Sequence, residues 1–210
     1  MIKAFDGLQY TVPMEERDYV DWHKNREHYA VWVIDFDEQA ILDEVDRARY
    51  FFEEWLLKPF ERQPHISLFV NGFMTDSAVH DDDYSLSQQM THQQILAQSD
   101  LESFDIEIGG LNSFASALYF DVFDSAGGIA QVKDCLTQVM PELRWKAYVP
   151  HITIGLYKEQ IPTQEVIERI KEYQQLPSIK KNVRNIKLMT YCAQELIGPL
   201  TTRFAHTLND

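Results

Sequence analysis

Cysteine is scarce in this 210-residue chain: there are two, Cys135 and Cys192, without CxxC or zinc-like spacing. That excludes a disulfide scaffold and a cysteine-ligated metal centre, and it fits free thiols in a reducing compartment. Positive charge is short as well, with 19 Lys and Arg against 33 Asp and Glu and a formal net charge of −14. A surface this acidic repels the phosphate backbone, so duplex and long single-stranded nucleic acid are not expected partners, and any nucleic-acid ligand is expected to be small. No apolar run approaches the ~18 residues of a membrane span. The opening residues MIKAFDGLQYTVPMEERDYV lack the basic flank and apolar stretch of a secretory signal, so a cytoplasmic protein without membrane contact is expected.

Phosphate loops and acidic metal sites are missing too. Gly109-Gly110 and Gly127-Gly128 stand outside any GxxxxGK[ST] or GxGxxG string and read as a strand-end turn and the start of a helix. The run His80-Asp81-Asp82-Asp83 reads as a solvated turn, because alternate residues point apart and cannot converge on one ion. No metal and no cofactor are expected. The remainder, 45% hydrophobic and 25% charged, is enough to bury a sizeable core.

One short string occurs twice: Pro64-His65-Ile66-Ser67-Leu68 and, 86 residues later, Pro150-His151-Ile152-Thr153-Ile154. The composition predicts about 0.03 Pro-His-x-[Ser/Thr] strings by chance. In an extended strand, residues i and i+2 share a face, so each string presents an imidazole beside a hydroxyl while the aliphatics between them face a core. Two such half-sites facing each other would place two titratable groups and two hydrogen-bond donors around one cleft.

The duplication is wider than the string. An apolar run precedes each copy, 29–36 (YAVWVIDF) and 117–123 (ALYFDVF), and Asp35 and Asp121 each stand 30 residues before their histidine. Each half reads strand, helix, strand. Apolar spacing predicts helices over 38–57, over 128–140, and from Pro162 through Val166, Ile167, Ile170 and Tyr173; 87–98 is a weaker helical stretch. Further strands are predicted at 104–109, 184–193 and 200–207, and 74–85 reads as loop. The first 28 residues form an N-terminal extension. Residues 29–208 form one bilobal domain, with lobes of about 29–103 and 104–208 that exchange strands.

A bilobal chain of this length, with His-x-Ser/Thr on a strand of each lobe, resembles the 2H phosphoesterase superfamily, which includes the 2'-5' RNA ligase-like proteins and cyclic nucleotide phosphodiesterases. The resemblance implies an α+β fold: duplicated strand-helix-strand units, with antiparallel sheets around a central cleft. It also implies a metal-independent phosphodiesterase acting on 2',3'-cyclic phosphates or 2',5'-phosphodiesters of a small nucleotide or RNA end, with a reverse ligase activity. Position by position, it assigns catalysis to His65 and His151 and phosphate binding to Ser67 and Thr153. A monomer is expected.

Two imidazoles with ordinary pKa values near ~6.5 can share proton removal and proton delivery at neutral pH. The hydroxyls would donate to the non-bridging oxygens where charge accumulates. Which histidine is base stays open. By alternation Phe69 shares the face of His65, and Gly155 and Tyr157 share the face of His151, making Phe69 and Tyr157 candidate substrate contacts and Gly155 a candidate space for ligand. Arg144 and Lys146 alternate toward the second motif and are weighed as cleft cations against a solvated edge. Asp35 and Asp121 are weighed as orienting partners of the histidines against plain strand-end aspartates. Two other readings keep the same residues: a non-catalytic nucleotide- or partner-binding module, and a metal-dependent phosphohydrolase with the histidines as ligands.

Overall fold

The structure, a computed structural model, describes residues 5, 7–144, 147–174, 177–195 and 197–210. Strand β1 (His28–Asp35) leads into helix α2 (Gln39–Phe51) and strand β2 (His65–Thr75); the short helix α1 (Val20–His23) precedes them. After β3 (Asp83–Ser85) and α3 (Leu86–Ala97), the pattern returns as β4 (Phe104–Ser113), β5 (Ala117–Phe123), α4 (Gly128–Thr137) and β6 (His151–Leu156). Helix α5 (Thr163–Glu172) and strands β7 (Ile179–Val183), β8 (Asn185–Cys192) and β9 (Thr201–Thr207) complete the chain. The strands form two sheets, ordered β3-β2-β1-β8-β9 and β6-β5-β4-β7, antiparallel except for the short β2–β3 pair. The fold is α+β and built from two copies of one unit.

The first sheet draws strands from both ends of the sequence. Strands β8 and β9, which lie in the sequence range of the second lobe, complete the first sheet beside β1, while β7 closes the second sheet against β4. Helix α2 of the first half packs on β6, and α4 of the second half packs on β2. One apolar core therefore runs through both halves, joining Trp32, Val45, Phe52 and Leu68 to Leu118, Val132, Leu136 and Ile152. A smaller cluster of Val31, Val33, Met189 and Leu200, flanked by Tyr29, Val70 and Tyr191, stands apart from it. Among the described residues no helix is long and apolar enough to cross a membrane.

Several sequence expectations need correction. The helix read over 38–57 stops at Phe51, because Leu56 and Leu57 leave it to lie along β6, with Leu57 N–H donating to Leu156 O at 2.9 Å. The segment read as loop includes β3 and the end of β2. Helix α3 is complete despite its poor apolar spacing. Its start is held by a Ser85–Gln88 capping box, and it turns Gln89, His92 and Leu96 inward. Buried His92 accepts from Tyr84 Oη at 2.7 Å and donates to Leu136 O at 2.9 Å, so polar residues do the packing that a hydrophobic pattern detects elsewhere. Gly109-Gly110 is not a strand-end turn; it lies inside β4 as an irregularity between Ile108 and Leu111.

The residues before β1 touch both halves of the sequence. Val12 N–H and Met14 N–H donate to Ala115 O and Tyr157 O in the second, while Trp22 packs on Tyr29 and Phe73 in the first. Arg26 lies over the Phe73 ring and pairs with Asp82 and Asp83, so these two carboxylates of the acidic run anchor the extension.

Candidate active site

The two motif strands approach each other across the junction of the sheets. β6 is the outer strand of its sheet, and β2 is paired by β3 only at its far end, over Phe73–Thr75, so the His65 end of β2 has an edge free to face β6. Along β2 the side chains of His65 and Ser67 are half-buried and those of Ile66, Leu68 and Phe69 buried; along β6 the same pattern falls on His151, Thr153, Ile152, Ile154 and Gly155. The offset of 86 therefore carries over from sequence to burial. It also carries over to Asp35 and Asp121, which are the cross-strand partners of His65 and His151.

Both strands carry one extra residue just past the hydroxyl. Val33 pairs with Ser67 and Trp32 with Phe69, skipping Leu68; Tyr119 pairs with Thr153 and Leu118 with Gly155, skipping Ile154. Such a bulge reverses the alternation of everything beyond it. This corrects the two candidate substrate contacts. Phe69 is fully buried beside His92, and Tyr157 is fully buried with its hydroxyl 2.7 Å from Ser113 Oγ. Gly155 is corrected with them: a Cβ there would lie 2.9 Å from a Leu56 methyl, so its missing side chain makes room for the other lobe's leucine and not for a ligand.

The imidazoles are held alike. His65 Nδ1 lies 2.9 Å from Gln63 O, and His151 Nδ1 lies 2.6 Å from Val149 O, in each case the carbonyl two residues back. A carbonyl only accepts, so Nδ1 carries the proton on both rings and each neutral ring is left with its basic lone pair on Nε2. The hydroxyls of Ser67 and Thr153 have no protein hydrogen-bond partner among the described residues. The aspartates do not bond the rings: Asp35 pairs with Lys187 at 2.6 Å, and Asp121 accepts from Asn112 Nδ2 at 3.2 Å. Their charges still act, each favouring protonation of its histidine.

Desolvation lowers both histidines below their usual range. His65 is pushed down to about 4, with Arg62 and His151 adding to the burial; Arg144 lowers His151 further. The strands that carry the two rings are in contact. Arg144 lies at the junction, donating from Nη2 to Ser67 O at 3.2 Å and stacking on Tyr148. Lys146 lies outside the described residues. Beside His151 stand Phe114 and Tyr119, stacked 4.0 Å apart, with centroids 4.9 and 5.4 Å from the imidazole. Beside His65 there is instead Arg62, whose guanidinium covers the Tyr191 ring. Sequence reading missed Arg62, Phe114 and Tyr119. Tyr119 and Asp121 are two apart on β5, which was a readable signal; Phe114 reaches the site by way of the β4–β5 hairpin, which was not.

The duplicated α+β fold thus brings the strands that carry the two His-x-Ser/Thr strings into contact. The profile of the 2'-5' RNA ligase superfamily matches residues 37–195, and the chain belongs to that superfamily. Solved structures agree on the fold. LigT of Escherichia coli complexed with 3'-AMP superposes with a TM-score of 0.57 at 12% identity, covering 88% of this chain and 99% of LigT. A protein from Thermus thermophilus gives 0.56 at 13%, covering 86% and 97%. A conserved protein of unknown function from Agrobacterium tumefaciens gives 0.57 at 12%, covering 90% of each chain. No curated protein matches the sequence.

Proposed function

We propose that this chain is a metal-independent phosphodiesterase that opens a 2',3'-cyclic phosphate or a 2',5'-phosphodiester on a small nucleotide or RNA end, with ligation as the reverse reaction. The observation that carries the reading is the matched pair of rings, both with Nδ1 committed to a backbone carbonyl, while Nε2 and the neighbouring hydroxyl have no hydrogen-bond partner among the described residues. The crystallisation of LigT with 3'-AMP, ATP and NADP+ supports a nucleotide ligand.

In hydrolysis a water oxygen attacks phosphorus and gives up a proton while the bond from phosphorus to one ribose oxygen breaks and that oxygen gains a proton. His65, kept neutral by burial and by Arg62, takes the water proton on Nε2, and His151 delivers the other from Nε2 as imidazolium. Negative charge grows on the non-bridging oxygens, where Ser67 and Thr153 donate and where Arg62 and Arg144 offset the acidic surface. In ligation a 5'-hydroxyl takes the place of water: its oxygen attacks the phosphorus of the 2',3'-cyclic phosphate and gives up its proton while the bond to the 3'-oxygen breaks and that oxygen gains one. In the reverse, where the 3'-hydroxyl attacks and the 5'-oxygen departs, the two histidines exchange roles. An anionic substrate raises the pKa of both rings on binding, which favours the imidazolium the departing oxygen needs.

The test is turnover of a panel of 2',3'-cyclic nucleotides and 2',5'-linked dinucleotides in EDTA, comparing wild type with His65→Ala and His151→Ala. The expected result is EDTA-resistant cleavage, reduced by about 10²- to 10⁴-fold in each variant. Activity lost in EDTA and restored by added metal would replace this reading with the metal-dependent hydrolase. Nucleotide binding without turnover would replace it with the binding module.

A further inference from the structure

Each bulge turns a carbonyl out of regular pairing, at Leu68 and at Ile154, and each carbonyl is met by a cation from the opposite half. Arg49 on α2 donates from Nε to Ile154 O at 3.0 Å and from Nη2 to Arg62 O at 3.0 Å. Lys133 on α4 donates from Nζ to Leu68 O at 3.0 Å and to the Glu142 carboxylate, whose other oxygen accepts Val70 N–H at 3.1 Å. The acceptors are 86 residues apart, like the motifs. The backbone bonds beside them keep the same offset: Leu57 N–H donates to Leu156 O, and Leu143 N–H donates to Val70 O. Both cationic side chains are mostly shielded, Arg49 at 22% and Lys133 at 17% exposure.

Each cation thus ties two things together: the motif strand of the other half, one residue past its hydroxyl, and the connection that leads into a motif strand. Ile154 follows Thr153, and Arg62 lies three residues before His65. Leu68 follows Ser67, and Glu142 lies on the approach to His151. A surface ion pair would not need this placement, and a neutral side chain of similar length could not satisfy both acceptors at once. We infer that Arg49 and Lys133 are a matched pair of positioning residues that cross between the halves and hold the two imidazole–hydroxyl pairs in the mutual placement the reaction requires. The inference rests on the phosphodiesterase reading for its kinetic consequence, and on the geometry alone for its effect on the rings.

The experiment compares Arg49→Met and Lys133→Met with the conservative Arg49→Lys and Lys133→Arg. Lys181→Met, which removes an ion pair to Glu38 in which neither partner belongs to a motif strand, is the control. Two readouts are taken in folded protein: steady-state kinetics on whichever substrate of the panel wild type cleaves, and NMR titration of the His65 and His151 imidazoles. The expected result is a fall in kcat of about 10- to 100-fold in each Met variant with KM little changed. Displaced imidazole titrations should accompany it, the conservative variants should recover much of the loss, and Lys181→Met should change neither readout. Wild-type kcat and unmoved titrations in both Met variants would overturn the inference, as would a loss of activity that follows thermal destabilisation equally in Lys181→Met. If wild type cleaves nothing, the phosphodiesterase reading fails by itself, and the imidazole titrations still decide the positioning role.

Discussion

The two halves of the cleft agree in backbone and differ in company. Each motif strand has the same Nδ1 bond, the same bulge one residue past the hydroxyl, and a cationic side chain arriving from the other half, Arg49 or Lys133. Around that frame the first half sets Arg62, Tyr191 and the Asp35–Lys187 pair, and the second sets Phe114, Tyr119 and the Asp121–Asn112 pair. A duplicated backbone supplies two equivalent proton-transfer groups; acid-base chemistry needs them to be unequal, and the surrounding side chains supply that inequality.

After loss of the histidines themselves, the largest expected effect tests the equivalence. Ser67→Ala and Thr153→Ala should each lower kcat by about 10²- to 10³-fold, the usual cost of one oxyanion donor. A silent substitution on one side would break the comparison by showing that a single hydroxyl does the work.

A smaller effect sharpens the inequality. Arg62 lowers His65 and Arg144 lowers His151; removing a neighbouring positive charge favours the protonated ring and raises its pKa. Wild type should keep its kcat/KM well below pH 6.5 on the acid side, because His65 stays neutral down to about 4. Arg62→Gln should move that acid limb upward by up to about one pH unit, and Arg144→Gln should extend the basic limb upward, since His151 would hold its proton longer. Opposite assignments of the limbs in the two pH profiles would exchange the base and acid roles.

The smallest effect separates packing from contact with substrate. Ser113→Ala leaves the Tyr157 hydroxyl buried and unpaired, and should cost about 1–3 kcal/mol in urea unfolding. Tyr157→Phe should cost about 1 kcal/mol, because Ser113 Oγ still donates to Phe114 O at 2.7 Å. Neither should change KM, as both side chains are fully buried.

The doubled His-x-Ser/Thr string, its period of 86, the strand-helix-strand order and the two amphipathic helices α2 and α4 were legible without coordinates, because each is a local pattern with a local cause. Phe69 and Tyr157 were misread for one physical reason. A single extra residue in a strand leaves no trace in composition, yet it turns over the face of every residue after it. Helix α3 was faint in the sequence because it buries Gln89 and His92 through hydrogen bonds, which hydrophobic periodicity does not register.

What the sequence determined by itself was the chemistry on offer: two imidazoles, two hydroxyls, and the alternation that puts them side by side on strands. Their meeting was decided only in three dimensions. Arg49 and Ile154 are 105 residues apart, and Lys133 and Leu68 are 65 apart. The crossing of α2 onto β6 and α4 onto β2 follows from burying apolar faces in one shared core, a condition the whole chain satisfies and no segment of it specifies.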